Sequence, residues 1–215
     1  MAAPFNRRQA VQLGAVIVGG WALGRVLLRT DPNERDLGHS SAVARILGGA
    51  GLPTSGPANA SVRLAVFTDC LCPACRRAFP AMERAVHSDG DVRIIYKDWP
   101  IFGPTSERAA RLALASDEQG IYPAVHRQLM SGRRINDDGM LQQVVADAGG
   151  DWKQAMAYMM THEQTIAARL HANGQDALAI GLAGTPGYLA GSKLVTGAIS
   201  EGAFVDLFAR ARQAG

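Results

Sequence analysis

Short apolar runs and stretches of helical period alternate along this chain in an order that sets its class. Val62-Arg63-Leu64-Ala65-Val66-Phe67-Thr68 places apolar side chains at both parities, the pattern of a central strand covered on both faces. A helix is expected from about Cys72, with residues 76–87 as its body. Pro80 inside it predicts a kink, because the ring removes one backbone hydrogen bond. Val92-Arg93-Ile94-Ile95-Tyr96 is a second apolar strand. Helical period then dominates over residues 106–117, 123–130, 139–148, 152–161 and 163–182, separated by Gly and Asp breaks. Tyr188-Leu189-Ala190 and Lys193-Leu194-Val195-Thr196 flank Gly191-Ser192, a hairpin signal with glycine at the first central turn position. Ser200 stands where an N-cap is wanted for a last helix running to about Gln213. The order is β–α–β, a block of helices, then β–β–α, which makes the chain α/β.

The segments ahead of the first strand differ in character. Residues 30–60 are polar and punctuated by Gly48-Gly49, Gly51, Pro53, Gly56 and Pro57. They read as a linker or arm with a short helix at 41–47, so the folded domain is expected to begin near Ser61. Before them, Arg7-Arg8 lead into an apolar run over residues 10–24, and no acid precedes Asp31. A charged start followed by such a run predicts an export signal, and the arginine pair loosely resembles a twin-arginine one. Left uncut, residues 10–28 are barely long enough to span a bilayer, and Arg25 interrupts them. Residues 1–29 are therefore expected as a signal peptide or a membrane anchor, with a possible tether through 10–28.

Composition narrows the function classes. A chain of 215 residues, 47% hydrophobic, can bury a full core as one domain plus a tail. Three cysteines in that length do not make a disulfide-stapled scaffold. The net charge of +3 has no Lys/Arg block behind it beyond pairs such as Arg76-Arg77 and Arg133-Arg134, and few aromatics interleave with them. Nucleic-acid binding therefore has little support.

The candidate chemistry lies in Cys72-Pro73-Ala74-Cys75. Thiolate is the reactive form of cysteine, and a helix N-terminus sets free N–H groups and partial positive charge beside the first sulfur. Pro73 falls in the first helical turn, where its missing N–H costs nothing. Cys75 is then close enough to close a disulfide behind Cys72. The same spacing also serves half of a metal site. Cys70, on the strand-to-helix turn, is expected as a semi-buried thiol without a role; a mixed disulfide or a third metal ligand are its alternatives. Asp69 and Lys97 are candidates for relaying protons to Cys75, or else simple strand-end charges. The five histidines show no ligand spacing. Met156, Met159 and Met160 read as helical core, and Arg76 and Arg77 as a solvated face.

Phe67-Thr68-Asp69-Cys70-Leu71-Cys72-Pro73-Ala74-Cys75, then Trp99-Pro100-Ile101, then Gly184-Thr185-Pro186-Gly187-Tyr188 with Gly197-Ala198, resemble the DsbA-like family of the thioredoxin superfamily. The match runs in order from about Ser61 to the C-terminus. The resemblance implies a thioredoxin-like fold with an inserted helical domain at about residues 104–182. It makes Cys72 the exposed nucleophile, Cys75 the buried resolving thiol and Pro186 a cis-proline facing them. Thr185 is then the residue whose backbone holds the substrate chain by strand addition, with Pro73 and Ala74 beside it. Three departures stand out. Pro-Ala separates the cysteines without the histidine of the best-known oxidants; Cys70 is an extra thiol; and residue 187 is Gly where Thr or similar is common.

The expected activity is that of a periplasmic or otherwise extracytoplasmic protein thiol–disulfide oxidoreductase, donating the Cys72–Cys75 disulfide to exported proteins through a mixed disulfide at Cys72. It needs no organic cofactor or metal. Its expected partners are protein thiols and a membrane protein that reoxidises, or reduces, the active site. A reductase or isomerase of the same fold, and a thiolate metal-binding or metal-resistance module built on Cys70, Cys72 and Cys75, are the alternatives.

Overall fold

The computed structural model describes residues 34–49 and 51–213. The export or anchor segment expected at residues 1–29 lies outside the described residues. The apolar run read as a central strand is β3 (Val62–Thr68), and only Arg63 in it is not buried. It pairs in parallel with β4 (Val92–Asp98), in register from Val62 opposite Val92 to Thr68 opposite Asp98. Its other side pairs antiparallel with β5 (Gly187–Ala190), Leu64 opposite Ala190. β5 turns back into β6 (Lys193–Thr196) through Gly191, whose φ of +56° is the left-handed conformation that glycine adopts without penalty. β1 (Glu34–Asp36) and β2 (Thr54–Ser55) complete the sheet, in the order β1-β6-β5-β3-β4-β2.

Strand parity divides the core in two. Val62, Leu64 and Val66 of β3, with Val92, Ile94 and Tyr96 of β4, face the larger cluster. There they meet Phe79 and Met82 of α2 (Pro73–Asp89) and Phe204 and Phe208 of α8 (Glu201–Gln213). Ala65, Phe67 and Ile95 face the other way, onto Val43 and Ile46 of α1 (Ser41–Gly48) and Ala177 of α7 (Glu163–Ala179). Between β4 and β5 run α3 (Pro104–Ala115), a 3-10 turn (Ser116–Gln119), α4 (Tyr122–Ser131), α5 (Asp138–Asp147), α6 (Trp152–Thr161) and α7. Their apolar faces, including Leu112, Leu129 and Leu141, join the larger cluster. This is the thioredoxin-like sheet with a helical insertion that the resemblance implies.

Two expectations need correction. Residues 34–60 are not merely an arm before a domain starting at Ser61. β2 pairs antiparallel with β4, and Ile46 of α1 is fully buried on the sheet. The physical anchor is ionic: Arg45 and Lys97 each bind one oxygen of the buried Asp176 carboxylate, at 2.7 and 2.8 Å. β4 also runs two residues past Tyr96, because Lys97 and Asp98 find partners inside the protein. α2 runs as one helix through Pro80, from Pro73 to Asp89. Among the described residues, no helix is long and apolar enough to cross a membrane.

Candidate active site

The turn after β3 presents the cysteines. Asp69 accepts the Leu71 N–H on Oδ1 at 2.7 Å, a local turn that bends the chain out of the strand. Its carbonyl takes the Cys72 N–H at 3.1 Å. Cys72 is the N-cap of α2, with extended backbone (φ −67°, ψ 119°), and its carbonyl accepts the Arg76 N–H. The Cys75 N–H points at Cys72 Sγ, 3.4 Å away. A sulfur thus occupies the position where a Ser or Asp oxygen ordinarily caps a helix, among the N–H groups that have no intrahelical partner. Pro73 takes the first helical position, as its missing N–H permits.

The last stretch before the hairpin closes over this sulfur. Thr185-Pro186 is a cis peptide bond. The Thr185 carbonyl accepts from Cys72 Sγ at 3.4 Å, and the Pro186 carbonyl is held by the Gly197 N–H at 2.9 Å. Gly187 follows, and a Cβ there would come within 2.6 Å of the Leu182 methyls, so a side chain at 187 needs that buried leucine to shift. Sequence alone gives no reason for that Gly; Leu182 supplies it.

Cys72 is not the exposed residue that the resemblance implies. It is 2% exposed, because at the N-cap its Sγ turns inward, over the Cys75 N–H and against the Thr185 carbonyl. Pro73 is exposed and Ala74 half-buried, so these two carry the outer surface of the loop. Ile101 and Phe102 lie nearly half exposed at the end of the β4–α3 loop that Asp69 holds. Cys75 is fully buried, and burial holds its thiol well above the ordinary cysteine range. Cys70 is buried too, and its thiol is pushed up to about 12, first by desolvation and then by the Asp69 and Asp98 charges. All three cysteines are free thiols. Among the described residues no three His, Cys, Asp or Glu side chains converge in an arrangement that could hold a metal ion.

The two proton-relay candidates have other engagements. Both Asp69 oxygens accept backbone N–H groups, from Leu71, Ile101 and Phe102. Lys97 spends its ammonium on Asp176. Met156 and Met159 pack on the core as expected, whereas Met160 is exposed. Arg76 is not part of a solvated face. Its guanidinium donates to the Leu129 and Gly132 carbonyls, and to Cys70 O at 3.3 Å. The cation therefore satisfies the carbonyl end of α4, where partial negative charge collects.

Sequence reasoning passed over a buried polar group behind the cysteine turn. Asp98 accepts the Tyr122 hydroxyl at 2.8 Å, and desolvation lifts its carboxyl to about 7. His126 is enclosed by Phe79, Tyr96 and Tyr122, and burial lowers it to about 3, so its ring is neutral. The signal was present: Asp98 continues the inward parity of Val92, Ile94 and Tyr96, and His126 lies on the buried stripe of Tyr122, Val125, Leu129 and Met130.

Residues 63–209 match the model of the DSBA-like thioredoxin domain. A thioredoxin-like oxidoreductase from Silicibacter pomeroyi is similar at 30% identity and TM-score 0.75, covering 82% of this chain and 99% of its own. A periplasmic thioredoxin-like protein from Salmonella enterica serovar Typhimurium has 26% identity and TM-score 0.69, covering 81% and 98%. The thiol-disulfide exchange protein alpha-DsbA2 from Wolbachia pipientis, at 23% identity and TM-score 0.71, covers 81% and 95% and shares the fold. No curated protein matches the chain. A match spanning residues 63–209, over a sheet and helical insertion of this topology, places the chain in the DSBA-like thioredoxin domain family, that of the DsbA-like thiol–disulfide oxidoreductases.

Proposed function

We propose that this protein oxidises thiols of exported proteins by donating the Cys72–Cys75 disulfide. The observation that carries the reading is Cys72 Sγ at the N-cap of α2, receiving the Cys75 N–H beside the cis Thr185-Pro186 bond. There the sulfur meets the unpartnered N–H groups of the first helical turn, with Cys75 one turn behind it to form or release the disulfide.

The reaction balances as two exchanges. A substrate thiolate attacks Cys72 Sγ; the Cys72–Cys75 bond breaks, and Cys75 leaves as a thiolate that takes up a proton, as its raised pKa requires. A second substrate thiolate attacks the substrate sulfur of the mixed disulfide. The substrate then holds the new disulfide, and Cys72 departs as a thiolate. Pro73, Ala74 and the Thr185 backbone are the surfaces an extended substrate chain would meet, by strand addition beside the cis-proline. A membrane redox partner that reoxidises the dithiol completes the cycle. Export is supported by the charged and apolar start of the sequence and by the periplasmic relative from Salmonella enterica.

Equilibration against a glutathione series tests the direction. A potential well above the thioredoxin value of about −270 mV is expected, and one near that value overturns oxidation in favour of reduction. A second reading, a reductase or isomerase, has one specific observation behind it: Thr185, whose like precedes the cis-proline in such relatives by the same resemblance. Refolding of scrambled ribonuclease and reduction of insulin separate the two.

A further inference from the structure

Behind the cysteine turn, at the carboxyl ends of β3 and β4, lies a cavity of about 10 Å³ whose wall includes Thr68, Cys70, Asp98, Ser106 and His126. Its wall mixes these groups and Asp69 with the apolar Pro100, Ala110 and Leu129. Ser106 is 1% and His126 3% exposed, and neither Ser106 Oγ nor His126 Nδ1 has a hydrogen-bond partner within the protein. The other ring nitrogen, Nε2, lies 3.4 Å from Thr68 Oγ1. The Asp98 carboxyl takes the Tyr122 hydroxyl on Oδ2.

Buried polar atoms are almost always satisfied, and a space of this order is what one water molecule occupies when two to four polar groups surround it. We infer that the cavity binds a single water molecule, bridging the Ser106 hydroxyl, His126 Nδ1 and the Asp98 carboxyl. Water both donates and accepts, so it satisfies the neutral imidazole in either tautomer and the carboxyl in either protonation state. The volume rejects anything larger. The wall containing Cys70 belongs to the turn that carries Asp69 and Cys72, so the water completes the packing beneath that turn. The site is independent of the direction of thiol exchange.

A crystal structure of the unmodified protein, at a resolution that orders buried waters, is expected to place one water about 2.7–3.2 Å from the three groups. Water–amide magnetisation transfer to the residues around the cavity, also on the unmodified protein, is expected to detect it in solution. Ser106→Ala removes one ligand of the water, and Ser106→Val fills its place. In the valine variant the water signal should vanish and the Asp98 titration midpoint should move up by about half a pH unit or more, as the carboxylate loses a donor. A dry cavity in the unmodified protein, or an Asp98 midpoint unmoved in a folded Ser106→Val variant that has lost the signal, overturns the proposal.

Discussion

The buried carboxylate of Asp69 accepts the backbone N–H of Ile101 at 2.7 Å, joining the cysteine turn to the loop that follows β4. The same oxygen takes the Phe102 N–H at 3.0 Å, while the other takes Leu71 at 2.7 Å. One side chain thus fixes the turn before Cys72 and the exposed apolar pair Ile101 and Phe102 relative to each other.

Asp69→Ala removes the acceptor of three backbone donors. An unsatisfied buried N–H costs about 1–3 kcal/mol, with water entering to recover part of it, so a loss of roughly 3 kcal/mol is expected. Asp69→Asn should recover only part, because its NH2 is itself a donor and would face an N–H. Urea denaturation of the two variants checks this ordering; an Asn variant as stable as the parent contradicts it.

Cys70→Ser tests the extra thiol. Desolvation keeps Cys70 protonated at neutral pH, and a protonated thiol is a poor nucleophile. Exchange rates of the variant with a dithiol peptide should stay within about twofold of the parent, since Cys72 and Cys75 are unaltered. A collapse of the rate would give Cys70 a part in the exchange.

The Asp176 carboxylate is the hinge-pin between α1, β4 and α7, bound by Arg45 and by the buried Lys97. Asp176→Ala strands the Lys97 ammonium inside the protein and frees α1. Breaking one side of a buried pair costs about 3–5 kcal/mol. Hydrogen exchange should speed first in residues 41–48. The double variant Asp176→Ala, Lys97→Met should regain much of the loss, which a mere cavity effect would not allow.

How far the sequence revealed this molecule depends on the length of each pattern. β3, the hairpin and the long helices carry periodicities of four residues or more, and they form where those periods fall. The short helix expected at 41–47 forms as α1, whereas β2 has two residues, too few to repeat a pattern that would set it apart from a linker. Cys72 and Cys75 stand out by spacing, but the burial of Cys72 depends on Thr185, 113 residues away. Arg76 reads as solvated because its acceptors are backbone carbonyls, which no side-chain pattern announces.

Asp98 and His126 make opposite contributions to the pH dependence of stability. Asp98 titrates at about 7 in the fold against 3.8 ordinarily, raised by burial and by the Asp69 charge, with Tyr122 opposing. Between those values the folded state holds a proton that the unfolded chain has lost, so stability falls as pH rises from about 4 to about 7. His126 titrates at about 3 against 6.5, lowered by burial and by Arg127. The unfolded chain then takes the proton, so stability rises with pH from about 3 to about 6.5. Each is on the order of a few kcal/mol, and across the shared window they cancel. His126→Phe suits the aromatic cage and removes one of the two. Relative to the parent, its stability should slope downward with rising pH from about 3 to about 6.5. Asp98→Asn should slope upward over about 4 to about 7. Urea midpoints measured at a series of pH values check both, and variant profiles parallel to the parent's would deny the cancellation.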